Sequence, residues 1–290
     1  MSKSSKELRF NLEELSQQVG LSTTRLRVWE LRYGILPIER EFSDDGKVYV
    51  SADVDRIRGL ISALDANQNE VVTLQHRLVV NKTSVTDIYP LLLEAFSNYD
   101  EPSAQTLLDA GADDLTHEIF FEEVLLPVLN EIGARWETGT LSVGLEHFAS
   151  NIIRGKLLDL ARRWGDGEGP MAILACAPGE IHEFPLMMLG ILLHQHGWSI
   201  RYLGMNTPIA AILETVEFSE PDVVLIAARL PEMFEAVIPQ LRALSHKSNL
   251  ILAGRGASKE IADQMKASLV KGGPRAATAE ILNLIHRDQR

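Results

Sequence analysis

From Met171 onward the sequence alternates short apolar runs with longer amphipathic stretches, and this alternation constrains the fold more than any other feature. Short apolar runs bounded by turn residues are typical of buried parallel strands. The predicted strands are Met171–Ala177, Ile200–Leu203, Val223–Ala227, Leu250–Ala253 and Leu269–Lys271. The predicted helices are Phe184–His196, Ile209–Ser219, Met233–Leu244, Lys259–Lys266 and Thr278–His286. Repeated strand–helix units predict an α/β parallel sheet of the flavodoxin-like (Rossmann-like) class.

Ligands of such sheets bind past the carboxyl ends of the strands. Residues 178–183, 228–232 and 254–257 would lie at that edge. The first of these segments contains Glu180 and His182. Imidazole is a common ligand of transition metals, and a nearby carboxylate can orient the ring through its other nitrogen. His182 is therefore a candidate metal ligand; the alternative is that it caps the following helix.

The N-terminal segment has the pattern of two short helices joined by a turn. Leu12, Leu15 and Val19 fall at helical spacing before Gly20, and a second helical run follows. Its first turns would expose four polar side chains: Thr23, Thr24, Arg25 and Arg27. Helix-turn-helix proteins present such positions to the major groove of DNA.

A basic hairpin is predicted after the second helix. Asp44-Asp45-Gly46 is a turn sequence, and the alternating residues 47–50 that follow it, beginning with Lys47, predict a strand. A third helix with apolar residues at helical spacing begins near Ser51. These elements predict an all-α winged helix-turn-helix domain with Trp29 in the core between the helices, and the alternative to a DNA contact for Tyr49 is that it packs the wing.

The middle of the chain predicts a four-helix bundle. The predicted helices are Val85–Ser97, Glu101–Ala110, Asp113–Arg135 and Ser142–Trp164. Pro127 should kink or interrupt the third helix, and Gly139 lies in the break before the fourth. Residues 67–82 lack the sustained heptads of a coiled coil, so assembly of the protein must depend on other surfaces.

Length and segment boundaries predict a multidomain protein, because 290 residues exceed the usual size of a single core. We expect domains at residues 1–78, 79–165 and 166–290. The formal charge of the whole chain is -12, but residues 1–80 hold 11 basic and 12 acidic side chains, a net charge of -1. A nearly neutral unit can bind DNA if its basic residues share a face.

Several classes of protein are not indicated by the sequence. The strongest apolar run, residues 184–193, is too short to cross a bilayer, and the polar first residues do not resemble a secretory signal. The single Cys176 forms no internal disulfide and is expected to be inert core. The sequence contains no catalytic triad, P-loop or zinc-spaced cluster. These observations predict a cytoplasmic protein that is not an enzyme.

The N-terminal residues resemble a known family of regulators. Leu26-Arg27-x-Trp29-Glu30-x-Arg32-Tyr33-Gly34, followed by Pro37, Arg40, Gly46, Tyr49 and Ser51-x-Asp53-Val54, is similar to the winged-helix DNA-binding domain of the MerR family. The resemblance implies a set of residues that face DNA: Thr23, Arg25, Arg27, Arg32, Tyr33, Arg40 and Lys47. Members of the family commonly have Arg where this chain has Lys47, which keeps the charge but loses the bidentate geometry.

Two further motifs resemble the cobalamin-binding module of CarH-like, light-sensing MerR-type repressors. Trp136 is followed after nine residues by Glu146-His147, and Glu180-x-His182 comes after the first predicted strand. The resemblance implies that His182 is the lower axial ligand of cobalt and that Trp136 packs on the upper adenosyl group. It implies that Glu146 and His147 border that group, and that His147 approaches cobalt after light.

The chain departs from the family pattern in residues that surround the nucleotide tail of the cofactor. Pro185 replaces the Gly that ends the axial motif, and the usual Ser-x-x-Leu reads Ala227-Ala228-Arg229-Leu230. Ala253-Gly254 replaces paired glycines. These changes narrow the predicted tail pocket and place a charged side chain at its mouth. Leu230 and Gly254 remain candidate cofactor-binding residues.

The resemblance implies a regulator, most simply a repressor, whose homo-oligomeric state and operator-DNA binding respond to adenosylcobalamin and light. A tetramer formed in the dark would present several DNA-binding domains and gain affinity by effective concentration. Two alternatives remain open. One is a regulator of the same fold that has lost cobalamin or uses another tetrapyrrole or a partner protein. The other is a corrinoid carrier subunit of a methyltransferase.

Overall fold

The computed structural model describes residues 9–33, 42–43, 46–66 and 83–288. The chain divides into two compact units. One contains residues 1–116 and 128–152, and the other contains residues 117–127 and 153–290. Two of the unit boundaries fall inside helices, so these helices contribute residues to both units.

The first unit begins with the predicted helix-turn-helix, formed by α1 (Leu12–Val19) and α2 (Thr23–Tyr33). Asn11 starts α1 with a capping box: its side chain accepts from the amide of Glu14 at 2.8 Å, and the Glu14 carboxylate accepts from the amide of Asn11 at 2.9 Å. Gly20 ends α1 in the left-handed conformation, with φ 71°, which glycine adopts without strain.

A small wing and a third helix complete this region. Strand β1 (Arg9–Phe10) pairs antiparallel with β4 (Tyr49–Val50), and β2 (Phe42–Ser43) pairs with β3 (Gly46–Lys47). Helix α3 (Ser51–Ala66) follows. The buried core comprises Leu15, Val19, Leu26, Trp29, Tyr49, Val54 and Ile57. The core position predicted for Trp29 is therefore confirmed, and Tyr49 of the wing is buried in the same core. Asp44, Asp45, Pro37, Arg40 and residues 67–82 lie outside the described residues.

The helices that follow are α4 (Val85–Ser97), α5 (Glu101–Asp114), α6 (His117–Ile119), α7 (Leu126–Glu137) and α8 (Val143–Leu160). A π-helical turn, Phe120–Leu125, joins α6 to α7. The prediction of one helix from Asp113 to Arg135 is wrong, because α5 ends at Asp114 and a new helix starts two residues after Leu115.

Proline explains where the regular helix is interrupted. Pro127 lacks an amide hydrogen and its ring crowds the preceding turn. The irregularity lies just before it, where the amide of Leu126 donates to the carbonyl of Phe121, five residues back. The predicted interruption at Pro127 therefore takes the form of a wider helical turn.

The second unit contains a five-stranded parallel sheet. Its strands are β5 (Met171–Cys176), β6 (Ser199–Gly204), β7 (Val223–Ala227), β8 (Asn249–Ala253) and β9 (Ser268–Leu269). They lie in the order β6-β5-β7-β8-β9, and every pair is parallel. This is the order of flavodoxin-like sheets, so the predicted fold class is confirmed.

The helices that connect the strands are α9 (Phe184–Gln195), α10 (Ile209–Ser219), α11 (Pro231–Glu235), α12 (Ile238–Ser245), α13 (Lys259–Gln264) and α14 (Pro274–Asp288). The single helix predicted for Met233–Leu244 is two helices, because Pro239 lies in the first turn of the second and cannot continue the first.

Both faces of the sheet carry a buried apolar core. Helix α9 is buried along its whole middle, residues 186–193, and this explains why its sequence is apolar on every side. Among the helices of the described residues, none combines the length and the apolarity needed to cross a membrane.

Candidate functional site

The loop after β5 holds His182 by two hydrogen bonds to a buried carboxylate. Only 1% of Glu180 is exposed. Its Oε1 accepts from the amide of His182 and interacts with the ring Nδ1 of the same residue, each at 2.7 Å. Its Oε2 accepts from the amide of Arg229 at 2.5 Å. The loop after β5 and the loop after β7 are thus joined at this carboxylate.

The Glu180 carboxylate determines which nitrogen of the His182 ring carries the proton. Because Nδ1 faces Glu180, the ring proton lies on Nδ1 and Nε2 keeps its lone pair. The ring is about half exposed, with 53% of the side chain accessible. The alternative that His182 caps α9 is wrong: the residue at the N-cap is Glu183, and the His182 ring bonds to Glu180 and Arg229. A carboxylate that orients an imidazole in this way is a common feature of metal-ligating histidines.

Glu180 is ionised in this environment. Burial raises the pKa of its carboxyl, but the amide and ring of His182 and the amide of Arg229 stabilise the charged form. The hydrogen bonds dominate, and the pKa lies below its ordinary value. A carboxylate that stays charged keeps the His182 proton on Nδ1.

Exposed apolar side chains follow three strands at the carboxyl edge of the sheet, the edge that also carries His182. Ile181, Met205 and Leu230 are 63%, 40% and 47% exposed, and they follow β5, β6 and β7 respectively. Exposed apolar groups around one polar anchor are typical of a ligand site. The exposed nitrogen donor and the apolar rim fit a flat, metal-containing ligand bound on this edge.

The loops after β7 and β8 touch through their backbones. A Cβ on Gly254, whose φ is +88°, would lie 2.3 Å from the carbonyl oxygen of Ala228. A Cβ on Gly256 would lie 2.5 Å from the carbonyl of Leu230. Gly254, a predicted cofactor-binding residue, therefore has a packing reason to be glycine. Beneath these loops, burial raises the pKa of Cys176 to about 12, as expected for an inert core thiol.

The sequence does not predict the ion pair next to His182, which joins a buried carboxylate to a partly exposed arginine. Glu183 is 4% exposed; it pairs with Arg154 of α8 and accepts from the hydroxyl of Tyr202 at 2.6 Å. The Arg154 guanidinium also lies over the Phe184 ring, 5.1 Å from its centroid. No local pattern marks Arg154 in the sequence, because a charged residue on a helix usually faces solvent.

The motif residues of the helical region lie at the ends of two connected helices. Trp136 lies in the last turn of α7 and is 47% exposed, and Glu146 and His147 lie in the first turns of α8. Nδ1 of His147 is 2.5 Å from Glu146 Oε2, and the hydroxyl of Ser150 donates to Glu146 Oε1 at 2.7 Å. His147 is thus a second exposed imidazole held by a carboxylate.

The described residues contain no cluster of three or more His, Cys, Asp or Glu side chains that could enclose a metal ion. One axial nitrogen suffices for a metal whose other ligands come from a macrocycle.

The predicted DNA-facing helix α2 contacts acidic residues of α4 and α5 within the first unit. Arg27 Nη1 lies 2.8 Å from Glu94 Oε2, and the hydroxyl of Thr24 donates to Glu94 Oε1 at 3.0 Å. Arg32 pairs with Asp114. The expectation that Thr24 is exposed is wrong, because it is fully buried against Glu94.

Other predicted DNA contacts have local partners or lie outside the described atoms. The guanidinium of Arg25 lies over the Trp29 ring at 5.4 Å, and Lys47 Nζ is 2.8 Å from Glu30 Oε1. Thr23 is partly exposed at the start of α2. Arg40 and the side chain of Tyr33 lie outside the part of the chain that the structure describes.

Three segments of the chain match known protein families. Residues 10–69 match the MerR HTH family of regulatory proteins. Residues 91–158 and residues 170–281 each match a B12 binding domain family.

Two curated proteins are similar along most of the chain. The HTH-type transcriptional repressor CarA of Myxococcus xanthus is 29% identical, covering 96% of this chain and 96% of that protein. The HTH-type transcriptional repressor CarH of the same organism is 28% identical, covering 87% and 91%. The solved Methanosarcina barkeri monomethylamine corrinoid protein shares the fold, with a TM-score of 0.57 at 15% identity over 69% of this chain and all of that one. The chain therefore carries a MerR HTH domain followed by two B12 binding domains, and over most of its length it is similar to the CarA and CarH repressors.

Proposed function

We propose that the chain is a B12-dependent transcriptional repressor whose active form is bound to adenosylcobalamin. The observation that carries this proposal is the exposed imidazole of His182, held in the ligand tautomer by the buried Glu180. The MerR and B12 binding domain matches support the same conclusion. We assign residues 1–78 to DNA binding, 79–165 to the helical bundle and 166–290 to the sheet domain.

The residues of the chain have separate roles in this proposal. His182 would hold cobalt through a ring nitrogen, and Glu180 would hold that ring in place. Leu230 would border the bound cofactor, and Gly254 allows the rim loops to approach. When bound, adenosylcobalamin would supply a cobalt–carbon bond that light can break.

The upper face is assigned to the helical residues. Trp136 would shield the adenosyl group, because its indole is exposed and can cover an apolar surface. Glu146 holds the His147 ring and keeps one of its nitrogens available as a metal ligand. His147 is therefore proposed as the upper ligand after light.

The DNA-binding residues are proposed to be Thr23, Arg25, Arg27, Arg32, Tyr33, Arg40 and Lys47. Homo-oligomers, dimers or tetramers, would bind operator DNA in the cytoplasm and gain affinity because several domains engage one duplex. Such a protein regulates transcription and is not an enzyme.

The decisive experiment is the visible spectrum of the protein after mixing with adenosylcobalamin in the dark and desalting. Wild type should retain the cofactor, and His182→Ala should lose most of it because the axial nitrogen is gone. His196→Ala is the matched control, since this imidazole is exposed at the end of α9 and away from the rim loops. Equal absorbance of all three proteins would contradict the axial role of His182.

The experiment also separates the alternatives. A wild-type chain that retains no colour would favour a regulator that has lost cobalamin or responds to another tetrapyrrole or to a partner. The corrinoid carrier of a methyltransferase is less supported, because a carrier does not require the MerR HTH domain at residues 10–69. Size-exclusion chromatography in the dark and after illumination would measure the proposed change of oligomeric state.

A further inference from the structure

Arg229 contacts the nitrogen of His182 that is assigned to cobalt. Its Nη1 is 3.3 Å from His182 Nε2, and its amide donates to Glu180 Oε2 at 2.5 Å. The third side of this arrangement is the Glu180–His182 bond at 2.7 Å. Three residues thus form a closed ring of hydrogen bonds at the carboxyl edge of the sheet.

The direction of each bond follows from the groups involved. A guanidinium has only donors, so Arg229 donates and His182 Nε2 accepts. The ring proton of His182 then lies on Nδ1, toward Glu180. An imidazole nitrogen has one in-plane lone pair, and a metal requires the same lone pair. The Arg229 hydrogen bond and metal ligation at Nε2 exclude each other.

The backbone of Arg229 is fixed, whereas its side chain is exposed. The amide of Ala228 donates to the carbonyl of Ala253 at 3.1 Å, and the amide of Gly256 donates to the carbonyl of Ala228 at 3.0 Å. Leu230, the next residue, is the N-cap of α11. Because the Arg229 side chain is exposed, rotation of its χ angles alone can remove the guanidinium from Nε2.

We propose that Arg229 is a specificity-determining residue that competes with the cobalt of cobalamin for Nε2 of His182, so that binding requires its guanidinium to turn away. This inference depends on the proposed role of His182 as the axial ligand. An interaction present only in the ligand-free chain lowers affinity by its own free energy. Arg229 thereby weakens binding of the macrocycle and sets the concentration at which the chain responds.

The first test measures equilibrium binding in the dark with purified full-length variants. Arg229→Gln should bind adenosylcobalamin about threefold to tenfold more tightly than wild type, the range expected for losing one exposed, charge-assisted hydrogen bond. Arg229→Lys keeps a charge and a donor and should remain close to wild type. Arg255→Gln removes a charge from the same edge of the sheet and measures the general electrostatic effect.

A second ligand separates competition from recognition of the cofactor's tail. Adenosylcobinamide lacks the nucleotide tail and its phosphodiester, so competition at Nε2 predicts the same gain for Arg229→Gln with both ligands. If Arg229 instead binds the phosphodiester, Arg229→Gln would bind adenosylcobalamin more weakly and leave adenosylcobinamide unchanged. That result would overturn the proposal.

The third measurement needs no cofactor. Diethyl pyrocarbonate acylates unprotonated imidazole nitrogens, and peptide mapping reports the rate at His182 with the exposed His196 as internal standard. The rate at His182 should rise several-fold in Arg229→Gln, because Nε2 is no longer covered. An unchanged rate together with unchanged affinity would overturn the proposal even if His182→Ala fails to bind cobalamin. Equal binding by His182→Ala and wild type would instead refute the proposed function itself.

Discussion

Glu94→Gln should strengthen DNA binding, because the Glu94 carboxylate holds residues that we assign to the DNA interface. Oε1 accepts from the Thr24 hydroxyl at 3.0 Å and from Arg27 Nη1 at 3.1 Å, and Oε2 accepts from the same Nη1 at 2.8 Å. Thr24 is fully buried, so α2 cannot present this face to a phosphate while it contacts α4. Carboxylate and phosphate oxygens would compete for the same donors.

The size of the effect follows from exposure. The Arg27 and Glu94 side chains are 49% and 30% exposed, so water screens their attraction. The ion pair therefore contributes much less free energy than a fully buried pair would. A half-exposed pair and one hydroxyl hydrogen bond together stabilise the contact by about 1 kcal/mol. Since 1.4 kcal/mol corresponds to a factor of about ten, the gain in DNA affinity should be up to about fivefold.

Fluorescence anisotropy with a labelled duplex of mixed sequence, at one fixed salt concentration, measures this gain. Glu101→Gln is the matched control: it removes the same charge from an exposed position of α5, where the carboxylate accepts from Gln105 at 2.9 Å. The reasoning is refuted if Glu94→Gln binds DNA no more tightly than Glu101→Gln. Titrations at several salt concentrations should also show that DNA affinity depends less steeply on salt for wild type than for Glu94→Gln. Salt weakens the competing Arg27–Glu94 contact as well as DNA binding, and in wild type these two effects partly cancel.

Three further outcomes are expected. Arg154→Met should lower the free energy of unfolding by about 3 kcal/mol in urea denaturation, because it leaves the Glu183 carboxylate buried without its cation. Gly254→Ala should lower the melting temperature, because its Cβ would overlap the Ala228 carbonyl at a φ of +88°. Burial lowers the pKa of His117 below 6.5, so the unfolded chain binds a proton at a higher pH than the folded chain does. The free energy of unfolding should therefore fall as pH drops through 6.5, and His117→Asn should flatten that pH dependence.

The first two of these outcomes have a control variant in the same chain, and the third is compared with wild type. Arg162→Met breaks an ion pair with Asp159 in which both side chains are largely exposed, so it should cost less than 1 kcal/mol, about the usual value of a surface pair. Gly59→Ala places a Cβ where no atom lies within 4 Å and should raise helix stability slightly. The ion-pair argument would be contradicted if Arg154→Met and Arg162→Met lost the same stability. The glycine argument would be contradicted if Gly254→Ala and Gly59→Ala had the same melting temperature. The histidine argument would be contradicted if His117→Asn and wild type showed the same dependence of stability on pH.

The parallel sheet could be predicted from the sequence because its signal is local. A strand such as Val223–Ala227 is a continuous apolar run, and its core on both faces requires that pattern. The Glu180–His182 contact was also predictable, since the two residues are two positions apart. The amphipathic helices were predictable for the same reason. The single helix predicted for Asp113–Arg135 is wrong because Leu115 and Thr116 interrupt the apolar spacing only briefly, so the sequence gives little sign of the break.

The long-range polar contacts could not be predicted. Arg27 and Glu94 are far apart in sequence, and a basic residue on a recognition helix gives no local sign of an acidic partner on another helix. The pairing of Arg154 with Glu183 is similar: either charge alone resembles a solvated side chain. Such contacts form only where separate helices or loops pack together, and the apolar spacing within one segment does not indicate which of them will pack.

The π-helical turn at Phe120–Leu125 also sets the angular phase of the helix that follows it. A helix advances about 100° per residue, and a π-helical turn holds about one residue more than an α-helical turn. Deleting one residue here would therefore restore ordinary winding and leave the angular phase of the downstream side chains, including Trp136, nearly unchanged. It would also remove the wide turn that contains Glu122, whose carboxylate accepts from the amide of Arg275 at 3.1 Å. A deletion in the regular turns that follow would instead rotate the indole by about 100°, without altering a single residue of the motif that contains it.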